Sequence, residues 1–160
     1  MNRRSPDELI RRGLKSARRR LGHEPRREDF LKSLPRQAVA AEIGVFRGEF
    51  TEFIFTTNRP SELHLIDVWW ELHGEFFPMW GGAYTEFGQL STRQAYEEVL
   101  AIVERLQEDC KTTVHVGDDL SILAGFPDQY FDWVYLDTSH QYEQTLKELE
   151  ILAQKVKAKG

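Results

Sequence analysis

Three absences narrow what this chain of 160 residues can be. Its single cysteine, Cys110, excludes an intrachain disulfide and suits a reducing compartment, so we expect a cytoplasmic protein. No apolar run approaches the roughly 20 residues of a membrane span, and the arginine-rich start lacks the apolar core of a secretory signal. The dinucleotide fingerprint G-x-G-x-x-G is missing as well. The sequence therefore predicts one domain without a membrane partner.

Charge is distributed unevenly along the chain. Residues 1–27 carry ten Lys/Arg against three Asp/Glu, about +7, which leaves about −12 for the rest of a chain with net charge −5. Apolar residues in this region have helical spacing and predict an amphipathic helix with a basic, solvated face: Leu9, Ile10, Leu14, Ala17 and Leu21. No base-stacking aromatic residues lie among the arginines, so the pattern does not favour nucleic-acid binding. We expect residues 1–35 to form a basic helical extension that packs on the domain or on the partner of a homodimer.

From residue 36 onward, short apolar runs alternate with helical patterns. The predicted strands are 38–43, 63–66, 113–116 and 131–136, and the predicted helices are 49–57, 92–107, 120–124 and 142–156. Strands that alternate with helices predict a mostly parallel sheet covered on both faces, an α/β, Rossmann-like, doubly wound domain over residues 36–160. The aromatic segment 68–90 has no clear period. We interpret it as a lid over a cofactor and a wall for an acceptor, with Gly74, Gly81 and Gly82 allowing it to move.

Acidic residues and glycines follow every predicted strand. In strand order they are Glu42, Gly44 and Gly48; Asp67; Gly117, Asp118 and Asp119; and Asp137, followed by Thr138, Ser139 and His140. Ligands of such sheets lie beyond the carboxyl ends of the strands. A bare scaffold has no need of acids there, so these residues predict a binding site.

The residue types at these strand ends indicate the ligand. Glu42 would repel a pyrophosphate and suit a cationic amino group, while Gly44 lets the backbone approach a ligand closely. Asp67 follows Gly48 by 19 residues, close to the roughly 20-residue offset at which an acid takes ribose hydroxyls. Asp118, with the backbone of the next residue, could bind the amino group and a ring nitrogen of adenine. A ligand with an amino group, a ribose and an adenine but no phosphate is S-adenosylmethionine (SAM).

Four stretches together carry a family resemblance: AEIGVFRGEFTEFI, HLIDVWW, VHVGDDLSIL and FDWVYLDTSHQYE. Over residues 37–160 the chain resembles a class I SAM-dependent methyltransferase, in the subgroup with a D-x-x-H element after the fourth strand. The resemblance implies strand order 3-2-1-4 for the part present, and methylation of a small-molecule acceptor, such as a sugar or a natural-product precursor. The family's fold continues with three more strands after the fourth βα unit. We therefore expect this chain to be a fragment, or its open sheet edge to be covered by a partner chain.

The resemblance implies these cofactor-binding residues: Glu42, Gly44, Val45, Phe46, Gly48, Asp67, Val68, Trp69, Gly117, Asp118 and Asp119. Glu42 and Gly44 would line the methionine end of SAM. Asp67 would hold the ribose, and Val68 or Trp69 would cover the adenine.

Two residues after the fourth strand are the candidates for catalysis. Methyl transfer is an in-line displacement that depends mainly on alignment, but an oxygen acceptor also needs its proton removed. The resemblance places Asp137 at a catalytic or metal-binding position, with Mg²⁺ as the candidate ion, and His140 as a candidate general base.

Two other functions stay open at this stage. The chain could be a SAM-binding domain that does not catalyse a reaction, or an α/β domain for NAD or another nucleotide. Glu42 and the missing dinucleotide fingerprint count against the second. His64 and His115 fall within predicted strands and are interpreted as structural.

Overall fold

The computed structural model describes residues 27–107 and 110–158. The predicted basic helix before residue 27 lies outside the described residues. The elements in chain order are α1 (Arg27–Leu31), β1 (Val39–Ile43), α2 (Glu49–Thr57), β2 (Glu62–Asp67), α3 (Trp69–His73), a 3₁₀ helix (Gly82–Gly88), α4 (Thr92–Leu106), β3 (Lys111–Val116), α5 (Asp119–Ala124), β4 (Trp133–Leu136) and α6 (Tyr142–Lys155). None of these helices is long and apolar enough to cross a membrane.

The four strands form one sheet in the order β3-β2-β1-β4, and all neighbouring strands are parallel. This confirms the predicted α/β fold and strand order. The predicted strand boundaries lie within two residues of the observed ones, because runs such as Val39–Ile43 are mostly apolar and are buried on both sides, as in a doubly covered strand.

Each face of the sheet is covered by its own pair of helices. Alternate side chains of a strand point to opposite faces. On one face, Ala40 and Leu65 pack in a cluster with Ile54 of α2 and Val99 of α4. On the other face, the cluster consists of Ala41, Ile43, Ile66, Leu123 of α5, Phe131 and Leu152 of α6. The central strands β1 and β2 are therefore almost fully buried, whereas the edge strands β3 and β4 are mostly half-buried.

The aromatic segment 68–90 is more ordered than the sequence predicted. It contains α3 and the 3₁₀ helix, and the first of these ends at Gly74, whose φ of 69° is readily adopted by glycine. Phe77 N donates to Leu90 O at 3.1 Å, and Thr92 Oγ1 donates to Gly74 O at 2.7 Å. Within the 3₁₀ helix, Thr85, Glu86 and Phe87 have non-helical backbone angles, so the segment combines short helical turns with irregular backbone.

The stretch before β1 is attached to the domain by buried contacts. Leu31 is completely buried, and its carbonyl accepts a hydrogen bond of 2.7 Å from Asn58 Nδ2. Trp133 Nε1 donates to Pro35 O at 3.1 Å. These contacts lie at the amino end of the sheet, while Arg27 at the start of α1 reaches Asp137 at the carboxyl end.

The chain turns back toward β4 after α6. Phe131 N donates to Lys155 O at 3.0 Å, and Lys157 N donates to Phe131 O at 2.9 Å, which makes a parallel bridge between Phe131 and Val156. The last described residues therefore run beside the start of β4.

Candidate functional site

A cavity of about 1410 Å³ lies at the carboxyl ends of all four strands. Its described lining includes eight carboxyl side chains: Glu42, Glu49, Asp67, Glu71, Asp118, Asp119, Asp137 and Glu148. Two arginines also line it, and both are paired with carboxylates: Arg27 with Asp137, and Arg47 with Glu86 and Glu98. The cavity therefore favours a neutral or cationic ligand.

The fold brings together most of the residues predicted to hold the cofactor. Those that line the cavity are Glu42, Gly44, Val45, Phe46, Asp67, Val68, Gly117, Asp118 and Asp119. Gly48 and Trp69 are not among the described lining residues. Gly48, with φ of 80°, begins α2, and a Cβ there would lie 2.9 Å from Ile102 Cδ1, so it serves close packing against α4.

Of the two residues predicted to cover the adenine, Val68 or Trp69, the structure places Trp69 in the core. Its side chain is completely buried, its Nε1 donates to Phe46 O at 2.9 Å, and its ring contacts Tyr96 edge-on. Val68 lines the cavity instead. The two residues are adjacent in the chain, but only the side chain of Val68 faces the cavity.

Glu42 is a buried acid at the centre of the site. It is 1% exposed, and its Oε2 accepts a hydrogen bond of 2.6 Å from Thr51 Oγ1 of α2. Burial raises the pKa of Glu42 to about 8, with further upward contributions from Asp67 and Asp137, while the Thr51 hydrogen bond opposes them. In the free protein, Glu42 is therefore mostly protonated at neutral pH.

Gly44 occupies a position after β1 that only glycine fits. Its φ is 86°, and a Cβ at this position would overlap the carbonyl oxygen of Asp137. The loop after β1 (residues 44–48, the cofactor loop) thus lies directly against the backbone after β4, and the two strand ends form one continuous wall.

Asp67 is held by backbone donors in the structure. Its Oδ2 accepts from Val45 N at 2.8 Å and Phe46 N at 2.7 Å. Its Oδ1 accepts from Val68 N at 2.6 Å and Trp69 N at 3.4 Å. In the free protein, Oδ2 therefore fixes the backbone of the cofactor loop and Oδ1 fixes the start of α3.

The acids after β3 have separate structural roles. Asp118 caps α5, since its Oδ2 accepts from Ser121 N at 2.9 Å. Asp119 lies beside the fully buried Glu148 of α6, and Gln144 Nε2 donates to Asp119 Oδ1 at 3.2 Å and to Glu148 Oε1 at 3.1 Å. Burial, followed by the neighbouring Glu148, raises the pKa of Asp119 to about 6. Sequence periodicity could not find Glu148 because it lies in an ordinary amphipathic helix.

His140 has a partner that the sequence did not reveal. Its Nε2 lies 3.3 Å from Asp137 Oδ1, and its φ of 56° places it in the sparsely populated left-handed region. The other oxygen, Oδ2, accepts a hydrogen bond of 2.7 Å from Arg27 Nη1. Asp137 therefore lies between an imidazole and a guanidinium at the cavity wall. Arg27 was missed because it is 110 residues away in sequence.

The described residues do not fit a magnesium site. They include no group of three His, Cys, Asp or Glu side chains placed to hold a metal ion. Asp137, the predicted ligand, has both carboxylate oxygens engaged by protein groups. No chemical step is assigned to Mg²⁺.

Aromatic side chains also line the cavity. Phe46 of the cofactor loop stacks on Tyr84 at 4.2 Å between ring centroids and contacts Phe77 at 4.8 Å and Trp80 at 5.5 Å. His73 also lines the cavity, and burial lowers its pKa while nearby Asp67 opposes that shift. The role of the aromatic segment as a lid and an acceptor wall stays a prediction.

Comparison with known proteins assigns the fold to a class. Residues 41–160 match the family model described as methyltransferase domain. The chain belongs to this family, and its fold is that of class I SAM-dependent methyltransferases. No curated protein sequence matches this chain significantly.

Three solved structures show the same fold at low sequence identity. Precorrin 8W decarboxylase of Methanobacterium thermoautotrophicum has 19% identity and a TM-score of 0.54, over 82% of this chain and 55% of that one. The Trypanosoma brucei PRMT1 enzyme–prozyme complex with AdoHcy has 11% identity and a TM-score of 0.52, over 83% and 34%. A protein of Galdieria sulphuraria described as a sarcosine dimethylglycine methyltransferase has 16% identity and a TM-score of 0.50, over 81% and 42%. The chain thus spans from a third to just over half of the length of these proteins.

Proposed function

We propose that this chain binds SAM in the cavity at the strand ends and transfers its methyl group to a small-molecule acceptor. The observation that carries the proposal is the convergence of Glu42, Asp67 and Asp118 on one cavity of a methyltransferase-family domain. SAM supplies an electrophilic methyl group on a sulfonium. The remaining requirements are binding, alignment and removal of the acceptor's proton.

The cofactor is proposed to lie along the strand ends from β1 to β3. Glu42 and Gly44 face its amino-acid end, where a carboxyl group can pair with an ammonium and the missing Cβ leaves space. Asp67 takes the ribose, Val68 covers one face of the adenine, and Asp118 receives its amino group. The excess of carboxyl groups suits a ligand with net positive charge.

His140 is proposed as the general base and Asp137 as its orienting partner. The 3.3 Å contact would fix the imidazole and stabilise its protonated form after it accepts the acceptor's proton. The positive φ of His140 is the kind of local strain that concentrates at functional sites.

The acceptor is proposed to be a neutral or cationic small molecule with a hydroxyl or amino group. Aromatic side chains that line the cavity, among them Phe50, Phe53, Trp80 and Tyr84, offer an apolar surface for its body. An anionic acceptor would face several carboxylates, because both lining arginines are already paired. A homodimer and a cytoplasmic location stay predictions from the sequence.

Transfer of label from [methyl-³H]SAM tests the catalytic part. The acceptors would be neutral phenols, sugars and small amines, and the variants His140→Gln and Asp137→Asn, with SAH (S-adenosylhomocysteine) affinity measured in parallel. We expect each variant to lose about 100-fold or more in turnover with SAH affinity nearly unchanged. His73→Gln, which alters another imidazole of the cavity, is the control and should retain most of the turnover.

Measuring NAD affinity beside SAH affinity separates the other two functions. SAH binding without transfer to any acceptor would favour a SAM-binding domain that does not catalyse. Binding of NAD in place of SAH would favour a nucleotide-binding domain and contradict the proposal.

A further inference from the structure

The cofactor loop is held by two sets of contacts. Through its backbone, the N–H groups of Val45 and Phe46 donate to the Asp67 carboxylate. Through a side chain, Arg47 donates Nε and Nη2 to Glu98 of α4 at 2.6 and 2.8 Å. The third guanidinium nitrogen, Nη1, donates to Glu86 of the 3₁₀ helix at 2.9 Å.

Phe46 makes a second link between this loop and the aromatic segment. Its ring contacts Tyr84 and Phe77 of that segment at centroid distances of 4.2 and 4.8 Å. Its φ is 56°, a costly conformation for a residue with a large side chain. Glu86 also has a positive φ of 51°. The cofactor loop (at Phe46) and the aromatic segment (at Glu86) therefore both hold backbone strain, which a movement of either one can release.

The Asp67 carboxylate has little spare capacity in this arrangement. A carboxylate offers about four lone-pair sites, and the two oxygens already receive four backbone N–H groups. A ribose diol that binds there competes with the N–H groups of Val45 and Phe46. Cofactor binding at Asp67 thus requires the loop to shift, and Phe46 and Arg47 shift with it.

We propose that Arg47 is a positioning residue that couples the cofactor loop to the aromatic segment, so that a ribose-bearing cofactor at Asp67 repositions the wall against which the acceptor packs. The cofactor part of this inference rests on the function proposed above. The coupling between loop and segment is a property of the free protein.

Hydrogen exchange in the free protein tests the coupling without any ligand. Glu86→Gln removes the charge that Arg47 meets on the 3₁₀ helix. Glu52→Gln is the matched control, because Glu52 and Glu86 are 47% and 45% exposed and each accepts an arginine at 2.9 Å, but Glu52 pairs with Arg105 on α4.

In Glu86→Gln, the amides of Val45 and Phe46 should exchange about two- to fivefold faster, the range that an exposed ion pair can supply. In Glu52→Gln they should exchange at the wild-type rate. Faster exchange confined to residues 82–88 of Glu86→Gln would overturn the inference, because the segment would then move without the loop.

Calorimetric titration with SAH tests the competition at Asp67. The Glu86 pair stabilises the loop position that blocks Asp67, so Glu86→Gln should bind SAH about two- to fivefold more tightly, and Glu52→Gln as the wild type does. Equal or weaker binding by Glu86→Gln would overturn the competition. If the wild type binds no SAH, the proposed function fails, whereas the exchange experiment still decides the coupling.

Discussion

Replacing Glu42 by glutamine should stabilise the folded protein, and increasingly so as the pH rises. The folded state keeps Glu42 protonated up to a pKa of about 8, mainly because the side chain is buried, whereas its ordinary value is 4.5. The favourable contribution of the protonated form is complete below pH 4.5. This contribution is lost as the pH rises from 4.5 through about 8, because over that range Glu42 ionises in the unfolded chain but stays protonated in the folded one. Glutamine has the same shape and no charge to lose.

The size of the effect follows from the separation of the two pKa values. Each unit corresponds to about 1.4 kcal/mol, so the wild type loses about 3 kcal/mol at pH 7 and about 5 kcal/mol above pH 8 relative to pH 4.5. For a chain of this length, about 3 kcal/mol shifts Tm by roughly 6–12 °C. Relaxation around the ionised carboxylate lowers these figures, so they are upper bounds.

Scanning calorimetry at pH 5, 7 and 8.5 measures the difference directly. Glu42→Gln should match the wild type near pH 5 and have a clearly higher Tm at pH 8.5. Glu52→Gln, at an exposed position, should show no such trend. A wild type that is the more stable protein at pH 8.5 would refute the reasoning, since Glu42 would then be ionised and stabilised in the fold.

Three further substitutions test other contacts of the site and the sheet. Gly44→Ala should cost about 2 kcal/mol or more in urea unfolding, whereas Gly74→Ala, with a positive φ but nothing within 4 Å, should cost about 1 kcal/mol; equal costs would contradict the steric account. Thr51→Val removes the hydrogen bond to Glu42 and should cost about 1–3 kcal/mol, more at pH 8.5 than at pH 5; a cost independent of pH would count against that contact. Burial lowers the pKa of His64, so the folded protein keeps this histidine neutral and loses stability as the pH falls below 6.5. In His64→Gln this acid-side loss should be smaller than in the wild type; an unchanged pH profile would exclude His64 as its cause.

The sheet and the position of the site could be predicted from the sequence because both depend on repeating patterns. Apolar runs such as Val39–Ile43 identify buried parallel strands, and the carboxyl ends of such strands meet at one edge. Glu42, Asp67 and Asp137 are far apart in sequence, yet Glu42 is the penultimate residue of β1, Asp67 ends β2 and Asp137 directly follows β4. Their convergence on one cavity is therefore a consequence of topology.

The contacts within the site could not be predicted because they depend on local backbone angles and long-range packing. Trp69 faces the core and Val68 the cavity, a choice that no periodicity of a five-residue helix determines. His140 reaches Asp137 through a positive φ, which its sequence context does not signal. Arg27 arrives at Asp137 from the other end of the chain.

The central claim is that this cavity binds SAM, and calorimetric titration with SAH tests it most directly, with NAD as the control ligand. The account predicts micromolar SAH binding that strengthens between pH 6.5 and pH 8.5, as Glu42 loses its proton and can pair with the ligand's ammonium group. It also predicts no measurable binding of NAD. A folded protein that binds NAD, or that binds neither ligand at any pH, would contradict it.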